Sequence, residues 1–177
     1  MEIKYIETQR LIMRSWKESD KVIFAEMNGN DNVMKYFPAP LSLEESNAFV
    51  ERIRAEFVET GFGLYAVEIK ATGELIGYVG FHRFSFAAPF SPNWEIGWRI
   101  SDKFWHRGYA TEAAKACIDY ARKNRLCAKL YSFTAVPNTP SECVMKRVGM
   151  TFEGRFMHPA LADGHWLKEH VLYSIAL

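Results

Sequence analysis

The segment Trp105-His106-Arg107-Gly108-Tyr109-Ala110-Thr111 joins two patterns of different period. Before it, residues 94–101 alternate like a β-strand. After it, Ala110, Ala113, Ala114, Cys117, Ile118 and Ala121 recur at i, i+3, i+4, i+7, i+8 and i+11, one face of a helix. That face is built of small residues, so the helix can press closely on a sheet. A helix start exposes unpaired N–H groups and the positive end of the macrodipole. Gly108 at such a start lets the backbone approach an anion, and Arg107 adds a full positive charge. The segment therefore reads as a phosphate-binding turn, or as a plain strand-to-helix turn in which Gly108 serves geometry. G-x-G-x-x-G is absent and no Gly-Lys-Ser/Thr follows, which excludes a dinucleotide fingerprint and a nucleotide P-loop.

Upstream of this segment, residues 9–16 read as a first strand, and Ser19 or Asp20 is positioned to cap a helix over about 20–29. Ser42 and Glu45 form a capping box ahead of Phe49, Ile53 and Phe57, a helix that Gly61 and Gly63 end. Residues 64–70 and 75–84 flank Thr72-Gly73 as a hairpin, and Pro89 and Pro92 make 85–93 a loop. Downstream come a strand over 130–136, a short helix over 140–148, and strands over 150–156 and 170–177. Strands placed before and between few helices predict one α/β domain of the α+β type. Its mixed sheet should carry helices on both faces.

The 177 residues suit one domain over 1–177 with a sizeable core. Lys plus Arg (22) nearly cancels Asp plus Glu (21), so no charge surplus draws the chain to nucleic acid or an anionic membrane. Neither a signal-like start nor an apolar run of about eighteen residues occurs. Cys117, Cys127 and Cys143 lack C-x-x-C spacing and read as reduced, mostly buried thiols, as expected of a cytoplasmic protein. His158, Asp163, His165 and His170 have no metal-ligand spacing and read as turn and surface residues, so no metal is expected.

Further residues bring a resemblance. Glu95-Ile96-Gly97-Trp98-Arg99-Ile100, the 105–111 segment, Glu112-Ala113 and Asn138-x-x-Ser141 resemble the GNAT acetyltransferase superfamily. They look most like the branch containing ribosomal-protein N-terminal acetyltransferases. Thr8-Gln9-Arg10-Leu11, Leu11-x-x-Arg14, Ile76-Gly77 and Lys146-Arg147-Val148-Gly149-Met150 match too, so the resemblance runs in order along nearly the whole chain.

The resemblance implies a GNAT fold whose splayed central strands hold acetyl-CoA. Its pantetheine arm would pair with backbone groups of Trp98 and Ile100. The pyrophosphate would lie on the 106–111 turn, over the N–H groups of Arg107, Gly108, Tyr109, Ala110 and Thr111, with His106 or Arg107 supplying any side-chain contact. Trp105 departs from the superfamily pattern, which has Gln or Arg there. Asn138 would touch the cofactor, and Ser141 would hydrogen-bond the leaving thiolate or else cap its helix. Glu95 is the candidate general base, with a solvated strand-end charge as the alternative. Tyr109 and Tyr131 are reserve acids. Tyr36, Phe37, Phe84, Phe86, Phe90, Trp94 and Trp166 line the acceptor pocket or fill core; residues 85–93 are the better pocket candidate.

The function implied is acetyl transfer from acetyl-CoA to a primary amine, among them a peptide N-terminal α-amine. A small-amine acetyltransferase (polyamine, amino acid or antibiotic) and a non-catalytic acyl-CoA-binding module remain alternatives. The exposed aromatic content is compatible with a homodimer.

Overall fold

The computed structural model describes residues 2–177. Eight strands form one sheet in the order β1-β2-β3-β4-β5-β6-β8-β7. They are β1 (Lys4–Glu7), β2 (Leu11–Arg14), β3 (Leu64–Ile69), β4 (Leu75–Phe84), β5 (Asn93–Ile100), β6 (Lys129–Ala135), β7 (Thr151–Met157) and β8 (Glu169–Ala176). All neighbouring pairs are antiparallel except β5 and β6. Helices α1 (Asp20–Asn28), α2 (Asp31–Met34) and α3 (Leu43–Thr60) precede β3, α4 (Tyr109–Lys123) follows β5, and α5 (Thr139–Arg147) follows β6. The expected mixed sheet with helices on both faces is what the chain forms. Among the described residues no helix is long and apolar enough to cross a membrane.

Two cores flank the sheet. The small face of α4, Ala113, Ala114, Cys117, Ile118 and Ala121, is buried against Tyr65, Val67, Val79, Phe81, Ile96 and Leu130. Small side chains let the helix axis approach the sheet, and this is the face that the periodicity predicts. On the other side Phe24, Val50 and Ile53 pack with Trp16, Leu64, Ala66 and Tyr78. Ser42 and Glu45 close the expected capping box on α3, worth about 1 kcal/mol. Gly61 ends the helix in the left-handed region.

The start of α1 departs from expectation. Ser19 makes no capping bond. Asp20 accepts from Arg14 Nη1 at 2.7 Å and Nη2 at 2.9 Å, and Glu68 accepts from Arg14 Nε at 2.8 Å. Arg14 is buried, and a buried guanidinium needs carboxylate partners more than a helix start needs a cap. Strand β1 and the one-turn α2 are additions to the expected elements. Gly77, at φ +142°, admits β5 so closely that a Cβ there would meet the Arg99 carbonyl at 2.0 Å.

Candidate active site

After β5 the chain makes a short 3-10 turn over Asp102–Phe104. Trp105 then donates from its indole to the Ile100 carbonyl at 2.7 Å, clamping the strand end. This is the role of the residue that departs from the superfamily pattern. His106 (φ 62°) and Gly108 (φ 78°) adopt left-handed backbone, and Gly108 is the N-cap of α4. The first helical bond runs from Glu112 N–H to the Gly108 carbonyl at 3.0 Å, so the N–H groups of Tyr109, Ala110 and Thr111 have no intrahelical acceptor.

The turn is strapped from behind. Glu112 accepts from Thr8 Oγ1 at 2.6 Å, from the Arg10 backbone N–H at 3.0 Å and from Arg10 Nε at 2.6 Å. Arg10 Nη1 donates to the Arg107 carbonyl at 3.0 Å, and its guanidinium lies over the Tyr109 ring, 4.6 Å from the centroid. These contacts hold the Glu112 carboxyl below the ordinary carboxylate range against the opposing effect of its burial. Sequence reasoning noticed Thr8, Arg10 and Glu112 as pattern matches without giving them this work. The signal is an acidic residue, Glu112, in the first turn of a helix that follows Arg107 and Gly108. Such a charge needs a local counter-charge.

Strands β5 and β6 separate. Among the described residues their register has one pair, Glu95 with Tyr131, whereas β6 and β8 pair over seven residues. Ser132 Oγ donates to the Ile96 carbonyl at 2.9 Å just past the junction. With that carbonyl and that of Ile100 both turned away from β4, strand alternation turns Trp98's backbone groups the same way, into the gap.

Across the gap, Trp98 Nε1 donates to Ser141 Oγ at 3.3 Å, and Asn138 Nδ2 donates to the same oxygen at 3.1 Å. Asn138 Oδ1 accepts the Ser141 N–H, making Asn138 the N-cap of α5 in place of Ser141. Its other amide proton goes to Thr134 Oγ1 at 2.8 Å. Asn138 thus spends its side chain inside the start of α5, not on the donor-acceptor pair expected to face a cofactor. Ser141 Oγ has both lone pairs occupied and its proton uncommitted.

Glu95 stands at the junction of the splayed strands. Its Oε1 lies 3.7 Å from where a Cβ on Gly97 would sit, so the missing side chain at Gly97 leaves it room. His82 is its cross-strand partner on β4. Although the residue keeps some surface, loss of water around the carboxyl pushes it up to about 8; His82 pulls it down and Glu56 pushes it further up. Beside His82, α3 and β4 border an open cleft of about 620 Å³ whose lining includes Arg52, Glu56, Glu59, His82 and Arg83.

The aromatic residues divide. Phe84, Phe86 and Phe90 pack with Tyr131, Phe133 and Phe156 over the face of β6, β8 and β7. Phe37 lies under the Arg99 guanidinium at 4.1 Å, Tyr36 faces Trp166, and Trp94 packs on Phe62. His158 and His170, expected at the surface, face each other at 4.9 Å within the Phe86, Phe133 and Phe156 group, and burial pushes His170 down to about 4. Cys117 is buried as expected, but Cys143 is exposed.

Known proteins share this family and this fold. The acetyltransferase (GNAT) domain model matches residues 10–151. An uncharacterised N-acetyltransferase of Bacillus subtilis, YnaD, is 30% identical over 167 residues, 94% of each chain. The crystal structure of a GNAT-family acetyltransferase from Bacillus anthracis superposes with a TM-score of 0.81 at 28% identity, covering 97% of both chains. The ribosomal-protein-S5-alanine acetyltransferase of Vibrio fischeri shares the fold, with a TM-score of 0.77 at 18% identity over 98% of this chain and 96% of its own. With its glycine-capped turn, splayed strands and matched family model, this chain belongs to the GNAT family of acetyltransferases and is an acetyl-CoA-dependent N-acetyltransferase.

Proposed function

We propose that the protein acetylates a free α-amino group, at the N-terminus of a protein or peptide, by direct attack of the amine on acetyl-CoA. In this reading the pantetheine arm lies in the β5–β6 gap along Trp98 and Ile100. The pyrophosphate rests on the N–H groups of Arg107, Gly108, Tyr109, Ala110 and Thr111, where the α4 dipole favours negative charge. Glu95 takes the amine proton. As the C–N bond forms and the C–S bond breaks, the sulfur leaves with the electron pair, and the Ser141 O–H donates a hydrogen bond to it. Donation is the one capacity that Ser141 has left.

The observation that carries the α-amine assignment is the carboxyl of Glu95, at about 8. An α-ammonium ionises near 7.7–8.0 and a lysine-type ammonium near 10.4. Burial thus moves the Glu95 carboxyl up toward the α-ammonium range and leaves it below that of a lysine. Brønsted behaviour favours that match. The S5-alanine acetyltransferase among the fold relatives supports the same acceptor class.

The test is a competition among peptides with free N-termini, the same peptides N-blocked with free lysines, spermidine and an aminoglycoside. The free-N-terminus peptides should have the highest kcat/KM. A far higher value for spermidine or the aminoglycoside overturns the α-amine assignment and leaves the acetyltransferase activity standing.

A further inference from the structure

The proton that reaches Glu95 has to leave again, and Glu95, which keeps some surface, has a titratable neighbour on the adjacent strand. Polar side chains lead from there toward the α3–β4 cleft. On β4, His82 is the residue directly opposite Glu95, and directly opposed antiparallel residues share a face with Cβ atoms about 4.5–5.5 Å apart. That spacing is within the span of the two side chains or of one bridging water. The His82 ring is half exposed, with 54% of its side chain accessible, and borders the cleft between α3 and β4.

From α3, Glu56 Oε2 lies 2.9 Å from His82 Nδ1, and its other oxygen accepts the Arg83 backbone N–H at 2.8 Å. Glu56 is thus fixed at both oxygens, with only 14% of its side chain accessible. Its hydrogen bond makes Nδ1 the protonated nitrogen and leaves Nε2 as the one able to accept.

We propose that His82, oriented by Glu56, is the relay that carries the acceptor's proton from Glu95 to solvent through the α3–β4 cleft. The proposal rests on Glu95 being the base. The proton balance is simple. The amine gives one N–H proton to a Glu95 oxygen as it attacks. Glu95 gives that proton to His82 Nε2, forming an imidazolium beside the Glu56 carboxylate. The imidazolium releases one proton to water in the cleft, and Glu95 is again a carboxylate. No electrons are exchanged, and the thiolate takes its own hydrogen bond at Ser141.

The charged surroundings suit the task. Glu56 and Glu95 raise the affinity of His82 for a proton, while loss of water and Arg52 lower it, with a net rise above the ordinary imidazole range. The remaining charges on the cleft are Glu59 and Arg83, which pair with each other at 3.5 Å. His82 and Glu56 act through Glu95 and are positioning and relay residues, not catalytic ones.

The experiment compares His82→Gln, Glu56→Gln, Glu59→Gln and Glu95→Gln over a full pH–rate profile, with and without added imidazole. With His82→Gln, kcat should fall about tenfold, below the 10²–10⁴ typical of a primary base, while the KM for acetyl-CoA holds. Imidazole at millimolar concentration should restore most of the loss. Glu56→Gln should lower the His82 titration midpoint seen by NMR and lower kcat with it, and Glu59→Gln should change neither.

A His82→Gln enzyme with wild-type kcat, or one that imidazole does not restore, overturns the relay. So does an equal loss from Glu59→Gln, which would mark a general effect of the cleft's charge. If these negative results accompany a large loss in Glu95→Gln, the base assignment survives and only the relay falls. A wild-type profile from Glu95→Gln removes both.

Discussion

The Trp98 indole and the Ser141 hydroxyl meet at 3.3 Å across the opening between β5 and α5. Past the paired position of β5 and β6, this contact ties β5 to the start of α5, and it has a chemical consequence. Together with the Asn138 amide it fills the acceptor capacity of Ser141 and turns the hydroxyl proton outward. A hydroxyl that donates to a sulfur gaining charge is aimed at the transition state more than at the bound thioester. Ser141→Ala should therefore lower kcat by roughly 10²–10³-fold, the scale of one lost oxyanion-type donor, with a smaller change in acetyl-CoA affinity. A loss confined to affinity by calorimetry would make Ser141 a binding residue.

Glu95 leads to two measurements with opposite signs. Glu95→Gln keeps shape but removes basicity. It should lower kcat at neutral pH by roughly 10²-fold with little change in CoA binding, and a wild-type kcat from the Gln variant would hand the proton to water or another group.

Stability moves the other way. The Glu95 carboxyl sits at about 8 in the fold against an ordinary 4.5, so the folded chain holds its proton more tightly than the unfolded one. The stability this contributes is fully present below pH 4.5, declines between 4.5 and 8, and is gone above 8. The Gln variant never has to ionise. Its Tm should exceed wild type by little at pH 5.5 and by several degrees at pH 9, at about 2–4 °C per kcal/mol for a chain of this size. An equal gap at both pH values, by calorimetry, would mean that Glu95 is not desolvated.

Much of this was legible in the residues, for reasons that differ by place. The α4 face shows in the sequence because small apolar residues at helical spacing have one plausible use, against a sheet. The strand-to-helix turn shows because Gly108 and Arg107 stand where period 2 gives way to period 3.6. Relations between distant side chains stay hidden. Asp20 reads as a helix cap because local chemistry favours it, and only the fold brings Arg14, which Glu68 also binds, to claim it. The bonds of the Asn138 amide to Thr134 and Ser141 are likewise out of sight in the sequence. The His82–Glu95 pairing follows from the register of β4 and β5, which a hairpin with a long loop at 85–92 does not reveal beforehand.

The strap behind the phosphate turn makes a separate prediction. Glu112 gathers Thr8, the Arg10 N–H and the Arg10 guanidinium, and Arg10 reaches on to the Arg107 carbonyl. Glu112→Gln keeps one acceptor oxygen but removes the charge that holds Arg10. Hydrogen bonds to charged groups contribute about 1.5–3 kcal/mol, and Arg10 is partly exposed, so a loss near 1.5 kcal/mol is expected. That corresponds to a Tm drop of about 3–6 °C. CoA affinity should fall as well, since the released Arg10 no longer fixes the turn. Lower Tm with unchanged CoA affinity would make the strap purely structural.

Gly108 tests the phosphate site itself. Its φ of +78° lies where L side chains are rarely found, and a β-branched residue there is strained by about 1–2 kcal/mol or more. Space is the lesser obstacle on the protein side, because a Cβ at Gly108 would come no nearer than 3.6 Å to Arg10 Nη2. Two effects then separate by substitution. Gly108→Ala adds the backbone strain with little bulk, and Gly108→Val adds strain together with branches over the N–H groups that would receive the pyrophosphate. If those N–H groups bind it, Val should weaken CoA binding at least about tenfold more than Ala does, which is 1.4 kcal/mol or more. Both variants should keep a cooperative thermal transition. The comparison should be run with CoA and with a pantetheine fragment that lacks the pyrophosphate. The Ala-to-Val difference should appear with CoA and vanish with the fragment. Equal losses for both ligands would place the effect in the β5–β6 gap and take the pyrophosphate off this turn.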